Sequence, residues 1–260
     1  MYNSLVLAAQ RRQRLLGYAR TLAGVLAVLA IPVLLTTGSL RFAINQPRLY
    51  EYGFDKYNIS QRTGIAEAEL IRIAGEIIYY FNSGEEHIDI RATIYGEETD
   101  LFTQREIVHM RDVKGLVQGV YLWQWVTFGY VMAYVIAYAL WLKRAALPLL
   151  AKRAILGGGL TLFSIMVIGL ASLVGFDALF LKFHQIGFSN DFWQLDPRIH
   201  NLIAMFPQGF FQDATIFVAL LTIGKALLLV ALAAGYLLWM RRGRQRARKT
   251  PEEGASLPES

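Results

Sequence analysis

The segment Phe183–Asp213, FHQIGFSNDFWQLDPRIHNLIAMFPQGFFQD, separates two long apolar blocks of a 260-residue chain. It is too polar to cross a bilayer and too aromatic to be an idle connection. Within one short insert it gathers His184, Asn190, Asp191, Trp193, Asp196, Arg198, His200 and Asp213. That contrast decides the fold class. Hydrophobic residues make up 55% of the chain. They are concentrated in blocks rather than spread as helical stripes, the pattern of a polytopic membrane protein.

Working outward, the block before the insert predicts a spanning helix over 154–176, where Ser164, Ala171, Ser172 and Gly175 permit close helix packing. The block after it predicts another over 214–240, followed by RRGRQRARK and a polar tail, 241–260, read as basic, disordered and cytoplasmic. Upstream, 118–142 reads as a further span, with Tyr121, Trp123 and Trp125 at one interface and Trp141 at the other. A short basic loop, 143–153, joins it to the next. The N-terminal segment carries Arg11, Arg12, Arg14 and Arg20 ahead of GVLAVLAIPVLLTTG, so the first span falls at about 15–40, with Pro32 a possible kink site and Arg20 snorkelling to the nearer interface. The only small-x-small pattern after it, around Thr36–Gly38, is weak, which favours a retained anchor over a cleaved signal.

Charge sets the expected topology. The basic segments at the N-terminus, at 143–153 and after Met240 share the cytoplasmic side only with four spans and both termini inside. The soluble stretch 41–117 and the insert 177–213 then share the outer face. The net charge is +6, but the basic residues hug the apolar blocks, which points to a membrane and not to nucleic acid. The chain contains no cysteine. Disulfides, thiolate metal sites and a cysteine nucleophile are thereby excluded. The expected fold is an α-helical polytopic membrane protein, four transmembrane helices with a small extracytoplasmic α/β cap between the first two.

Within the cap, Thr63 reads as the N-cap of a helix over 64–81 that buries Leu70, Ile73, Ile77 and Phe81. HIDIRATIY (87–95) alternates with period two, a half-buried strand, with Tyr50–Ile59 as its expected partner. Thr103 and Glu106 form a capping box that starts a helix running on into the second span. Arg105, His109 and Asp112 share one face of it at i, i+4 and i+7. In the insert, Asp196-Pro197 reads as N-cap and first residue of a short amphipathic helix presenting Ile199, Leu202, Ile203 and Phe206 until Pro207.

Each reactive side chain also has a plain reading. His109 reads equally as a solvated helix residue beside Glu106 and Asp112, and His184 equally as an interfacial ring. His87 and His200 read as surface residues. Phe206, Phe210 and Phe211 read as membrane anchors, and Tyr130, Tyr134 and Tyr138 as a packing stripe. Lys225 either faces the bundle interior with Asp177 or Asp213 as partner, or the bilayer begins later than Ala214. Two histidines on separate outer elements near the boundary make an acid–base pair available there. No helical H-x-x-x-H pair and no Rossmann, P-loop or HExxH motif is present, so neither a metal nor a cofactor is expected.

Two motifs carry a family resemblance. RExxHMxDV (Arg105, Glu106, His109, Met110, Asp112, Val113) resembles one signature of the lipoprotein intramolecular transacylases. FHxxxFxNxxWxLDP…LIxxFPxxFF (Phe183, His184, Phe188, Asn190, Trp193, Leu195, Asp196, Pro197, Leu202, Ile203, Phe206, Pro207, Phe210, Phe211) resembles the second. The resemblance implies an acyltransferase on the outer face of a bacterial cytoplasmic membrane. It would move the sn-2 acyl chain of a diacylglyceryl-modified lipoprotein to the α-amine of its N-terminal cysteine, leaving a lyso lipid. Its partners would be that lipoprotein and membrane lipids.

Such a shift within one molecule needs no enzyme nucleophile, because the substrate's amine attacks. It needs proton movement and a stabilised oxyanion. His109 and His184 are the expected acid–base pair. Asp112 is expected to orient His109, with Asn190, Trp193 or Arg105 donating to the oxyanion and Asp196 in support. The alternatives are a non-enzymatic membrane scaffold with a partner-binding cap and, on Lys225 alone, a transporter.

Overall fold

The computed structural model describes residues 2–249, with side chains described except at 2–10, 173, 174, 244 and 246–249. Long helices dominate. They are α1 (Tyr2–Ile44), α5 (Gln104–Leu142), α6 (Ala146–Gly187) and α8 (Gln208–Lys249), with shorter α2 (Pro47–Lys56), α3 (Ile59–Thr63), α4 (Glu67–Asn82) and α7 (Asn201–Met205). Three stretches contain an apolar window long enough to cross a membrane, one within Arg11–Ile44, one within Gln104–Ser172 and one within Gln208–Gly243. The chain is a helical membrane protein.

One compact unit joins four helical segments: α1 up to Leu35, α5 from Val126, α6 to Ser164 and α8 from Ile223. Glycines let their backbones approach, since a Cβ on Gly157 would meet Ile31 and one on Gly158 would meet Val230. Tyr130 donates its hydroxyl to the Ala23 carbonyl at 2.9 Å, and the exposed Arg20 guanidinium lies 3.9 Å from the centre of the Trp141 ring, a cation–π contact. Helix α1 continues through Pro32. A 3-10 turn, Lys143–Ala145, folds α5 back into α6. Leu22, Leu140, Leu232 and Trp239 face outward, more than half exposed. So much exposed apolar surface calls for lipid around it. Lys225 is half-buried.

The second unit comprises Thr36–Trp125 and Ile165–Thr222. Its core is Ile59, Ile65, Leu70, Ile73, Ile77 and Tyr80 with Met205, Phe206 and Phe210. The expected face of α4 is buried, but α4 starts at Glu67 after Ala66, not at Thr63. Thr63 instead ends α3, its hydroxyl donating to the Ile59 carbonyl. Strand β1 (Arg91–Ile94) pairs antiparallel with β2 (Glu97–Asp100), in register Ile94 with Glu97 and Arg91 with Asp100. The expected partner, Tyr50–Ile59, is helical. The alternating strand closes on its own continuation because Tyr95 and Gly96 both take positive φ, 52° and 90°, making a two-residue hairpin.

Three further expectations are corrected. Phe206 and Phe210 are buried against Tyr50 and Phe54, not anchored in lipid, and a Cβ on Gly53 would run into the Phe210 ring. His200 is buried: its Nδ1 accepts the Asp196 N–H at 2.9 Å. Asp196 caps a turn, accepting the Arg198 N–H, and the short helix α7 begins only at Asn201 after His200. Past Met240, α8 stays helical through Lys249, while 250–260 of the expected tail lie outside the described residues.

Candidate active site

The site is assembled at the start of α5. Glu106 turns one carboxylate oxygen back to Thr103, accepting both its N–H and its hydroxyl at 2.7 Å. Its other oxygen accepts the Leu202 N–H at 2.7 Å, and the residue is fully buried. The capping box therefore does more than start a helix: it fastens the insert to α5. His109 follows three residues on, on the same helix face.

Helix α6 loses helical geometry at Gly175 (ψ 69°) and resumes, carrying His184 in its last turn. The two imidazoles meet with ring centroids 6.1 Å apart and planes inclined by 29°. The two rings therefore belong to one site. Both rings are buried, 7% and 9% exposed. Phe188 lies 5.0 Å from His109; Phe180 and Trp193 lie 4.4 and 5.1 Å from His184.

The histidines are not equivalent. His184 Nδ1 lies 2.7 Å from the Phe180 carbonyl, which can only accept, so that nitrogen carries the proton and Nε2 is left to take one. His109 Nδ1 is buried with no protein partner. His109 precedes the expected span 118–142, in a turn crowded with charge. Burial, and the neighbouring His184, push its pKa down to about 4, against which Asp112 acts. It is neutral at pH 7.

The supporting residues are distributed differently from expectation. Asp112 accepts the Asn190 side-chain amide at 2.7 Å, and Asn190 Oδ1 accepts the Phe192 N–H, so Asn190 holds the loop. Arg105 donates to the Asp191 carbonyl and lies 5.5 Å from the Phe192 ring. Trp193 walls His184 with its ring. Asp196 is engaged by Arg198 and His200, and none of these bonds reaches the pair. Sequence reasoning missed the Leu202 bond of Glu106 and the Phe180 carbonyl. A carboxylate in a capping box signals only the first of its two attachments.

The fold and site thus define a helical membrane protein that holds a buried, inequivalent histidine pair ahead of an apolar helix. Residues 25–211 match the family described as Lipoprotein intramolecular transacylase Lit. The chain belongs to the lipoprotein intramolecular transacylase family and is an enzyme, which sets aside the scaffold reading. It shares its fold with the membrane integral Lit of Bacillus cereus, whose in meso structure gives a TM-score of 0.73 at 23% identity, covering 87% of this chain and 99% of that one. A histidine-to-arginine mutant of the same protein gives 0.72 at 21% identity, covering 91% and 99%. An uncharacterized protein of Aquifex aeolicus (strain VF5) is 24% identical over 206 residues, 78% of this chain and 89% of its own.

Proposed function

We propose that the protein moves the sn-2 acyl chain of a diacylglyceryl-modified lipoprotein onto the α-amine of the same N-terminal cysteine, with His109 and His184 managing the protons. The observation carrying this reading is the convergence of the two rings from α5 and α6 at 6.1 Å. In the transfer the amine nitrogen bonds to the acyl carbon and the bond from that carbon to the glycerol oxygen breaks. Starting from the ammonium, one proton is released; a second passes from nitrogen to the departing glycerol oxygen.

His184 suits the proton transfer, because the Phe180 carbonyl behind Nδ1 steadies the imidazolium formed when Nε2 accepts. The same ring then returns the proton to the glycerol oxygen. Neutral His109 supplies a ring N–H toward the oxyanion, and the aromatic enclosure keeps water away. Joining both reactants in one molecule supplies proximity.

Charge, and the turn between α5 and α6, support the following setting. The protein crosses a bacterial cytoplasmic membrane four times, at about 15–40, 118–142, 154–176 and 214–240, with both termini inside. The cap 41–117 and the insert 177–213 then hold the histidines at the outer face. The test is mass spectrometry of lipoprotein N-termini from a host lacking other N-acylating activity. Expression should give N-acylated, lyso-glyceryl termini; diacylglyceryl termini with free amines alone would refute the reading.

A further inference from the structure

Next to Phe188, α5 and the chain at the end of α6 border an open cleft of about 330 Å³. Phe188, packed on His109, also lines it, together with Asp112, Asn190, Arg111 and Ser189. Its size is at the lower end of ligand pockets, roughly 300–1,000 Å³. Its walls are divided evenly between those polar side chains and glycine or apolar residues (Gly115, Leu116, Gly187, Phe188). Its polar side suits a small charged or hydrogen-bonding end.

The charges select the sign. Asp112 Oδ2 accepts the Asn190 amide at 2.7 Å. Oδ1 has only Arg111 at 3.7 Å, and Arg111 stands equally 3.7 Å from Glu86. Arg111 is thus shared between Asp112 and the exposed Glu86, so Asp112 is only partly compensated, with Oδ1 beyond hydrogen-bonding reach of the guanidinium. An alkylammonium, with three donors, complements this. Asp112 also lies three residues after His109 on the same face of α5, and Phe188 both packs on His109 and lines the cleft.

We propose that Asp112, fixed by Asn190, is the acceptor-amine subsite: it holds the substrate's α-ammonium in this cleft until a proton is removed and the amine attacks. This assignment rests on the transacylase reading above. It replaces the expected role of Asp112 as an orienter of His109.

The test measures binding with turnover blocked, using purified His184→Ala protein and a synthetic diacylglyceryl-cysteinyl lipopeptide, either with a free amine or N-acetylated. The free-amine form should bind about ten- to hundredfold more tightly, the range for a charge-assisted hydrogen bond. Asp112→Asn, which keeps an acceptor for Asn190 and removes the charge, should erase that preference and leave the N-acetyl peptide's affinity unchanged. Asp112→Glu should restore much of it. Equal loss for both peptides, or a preference that survives Asp112→Asn, overturns the subsite. Turnover persisting in His184→Ala would instead sink the histidine reading, with the amine preference still measurable.

Discussion

Glu106 offers the sharpest structural prediction, because one buried carboxylate ties together the two segments that bring the histidines. It accepts three hydrogen bonds, from the Thr103 N–H, the Thr103 hydroxyl and the Leu202 N–H, each at 2.7 Å. Glu106→Ala strands both backbone donors. Each buried donor left unpaired costs about 1–3 kcal/mol, so the variant should lose about 2–6 kcal/mol. Glu106→Gln keeps one acceptor oxygen and turns an NH2 toward the other donor. Its loss should be smaller, about 1.5–3 kcal/mol, near the worth of one charge-assisted bond. Thermal unfolding in detergent reads the series. At roughly 2–4 °C per kcal/mol for chains of this size, Glu106→Ala should melt at least about 4 °C lower, with Glu106→Gln between it and wild type. Unfolding midpoints that coincide for all three proteins would refute the clamp.

Other predictions follow from single contacts. The unfolded chain protonates His109 near the ordinary 6.5 and the folded one only near 4, so folding stability is complete above 6.5 and falls as pH drops through that window. The fall should amount to about 3 kcal/mol; denaturant titrations at pH 7 and pH 4 should show it, and His109→Asn should flatten it. Gly53→Ala pushes a methyl into the Phe210 ring and should destabilise by about 1–3 kcal/mol, read by the same melts. Asp196→Ala removes an exposed pair with Arg198 and should leave lyso-lipoprotein formation in cells close to wild type, since the bond to His200 comes from the backbone N–H.

The long helices were legible because a bilayer demands some 20 apolar residues per crossing, and such blocks stand out at any reading. The buried stripe of α4 and the capping box at Thr103 were legible for similar local reasons. The partner of β1 was not. Tyr50–Ile59 is aromatic enough for a strand, but Pro47 opens a helix there, and the hairpin depends on Tyr95 accepting a left-handed conformation that tyrosine seldom adopts. Phe206 and Phe210 look alike whether they face lipid or Tyr50; only the fold of the cap distinguishes them. At the site, spacing along α5 grouped Arg105, His109 and Asp112 on one face. It could not show that Asn190 would claim Asp112 or that a carbonyl four residues back would fix the His184 tautomer.

The central claim is that two imidazoles move the protons of an acyl shift inside a single lipoprotein. The most direct measurement supplies purified protein with a synthetic diacylglyceryl lipopeptide whose sn-2 chain alone is isotopically labelled, mixed with an unlabelled peptide of different sequence. The account predicts labelled N-acyl lyso product on the labelled peptide only, at least a hundredfold less of it with His184→Ala, the lower range for lost acid–base catalysis, and a comparable deficit with His109→Ala. Label appearing on the second peptide, or undiminished product from either histidine variant, would contradict it.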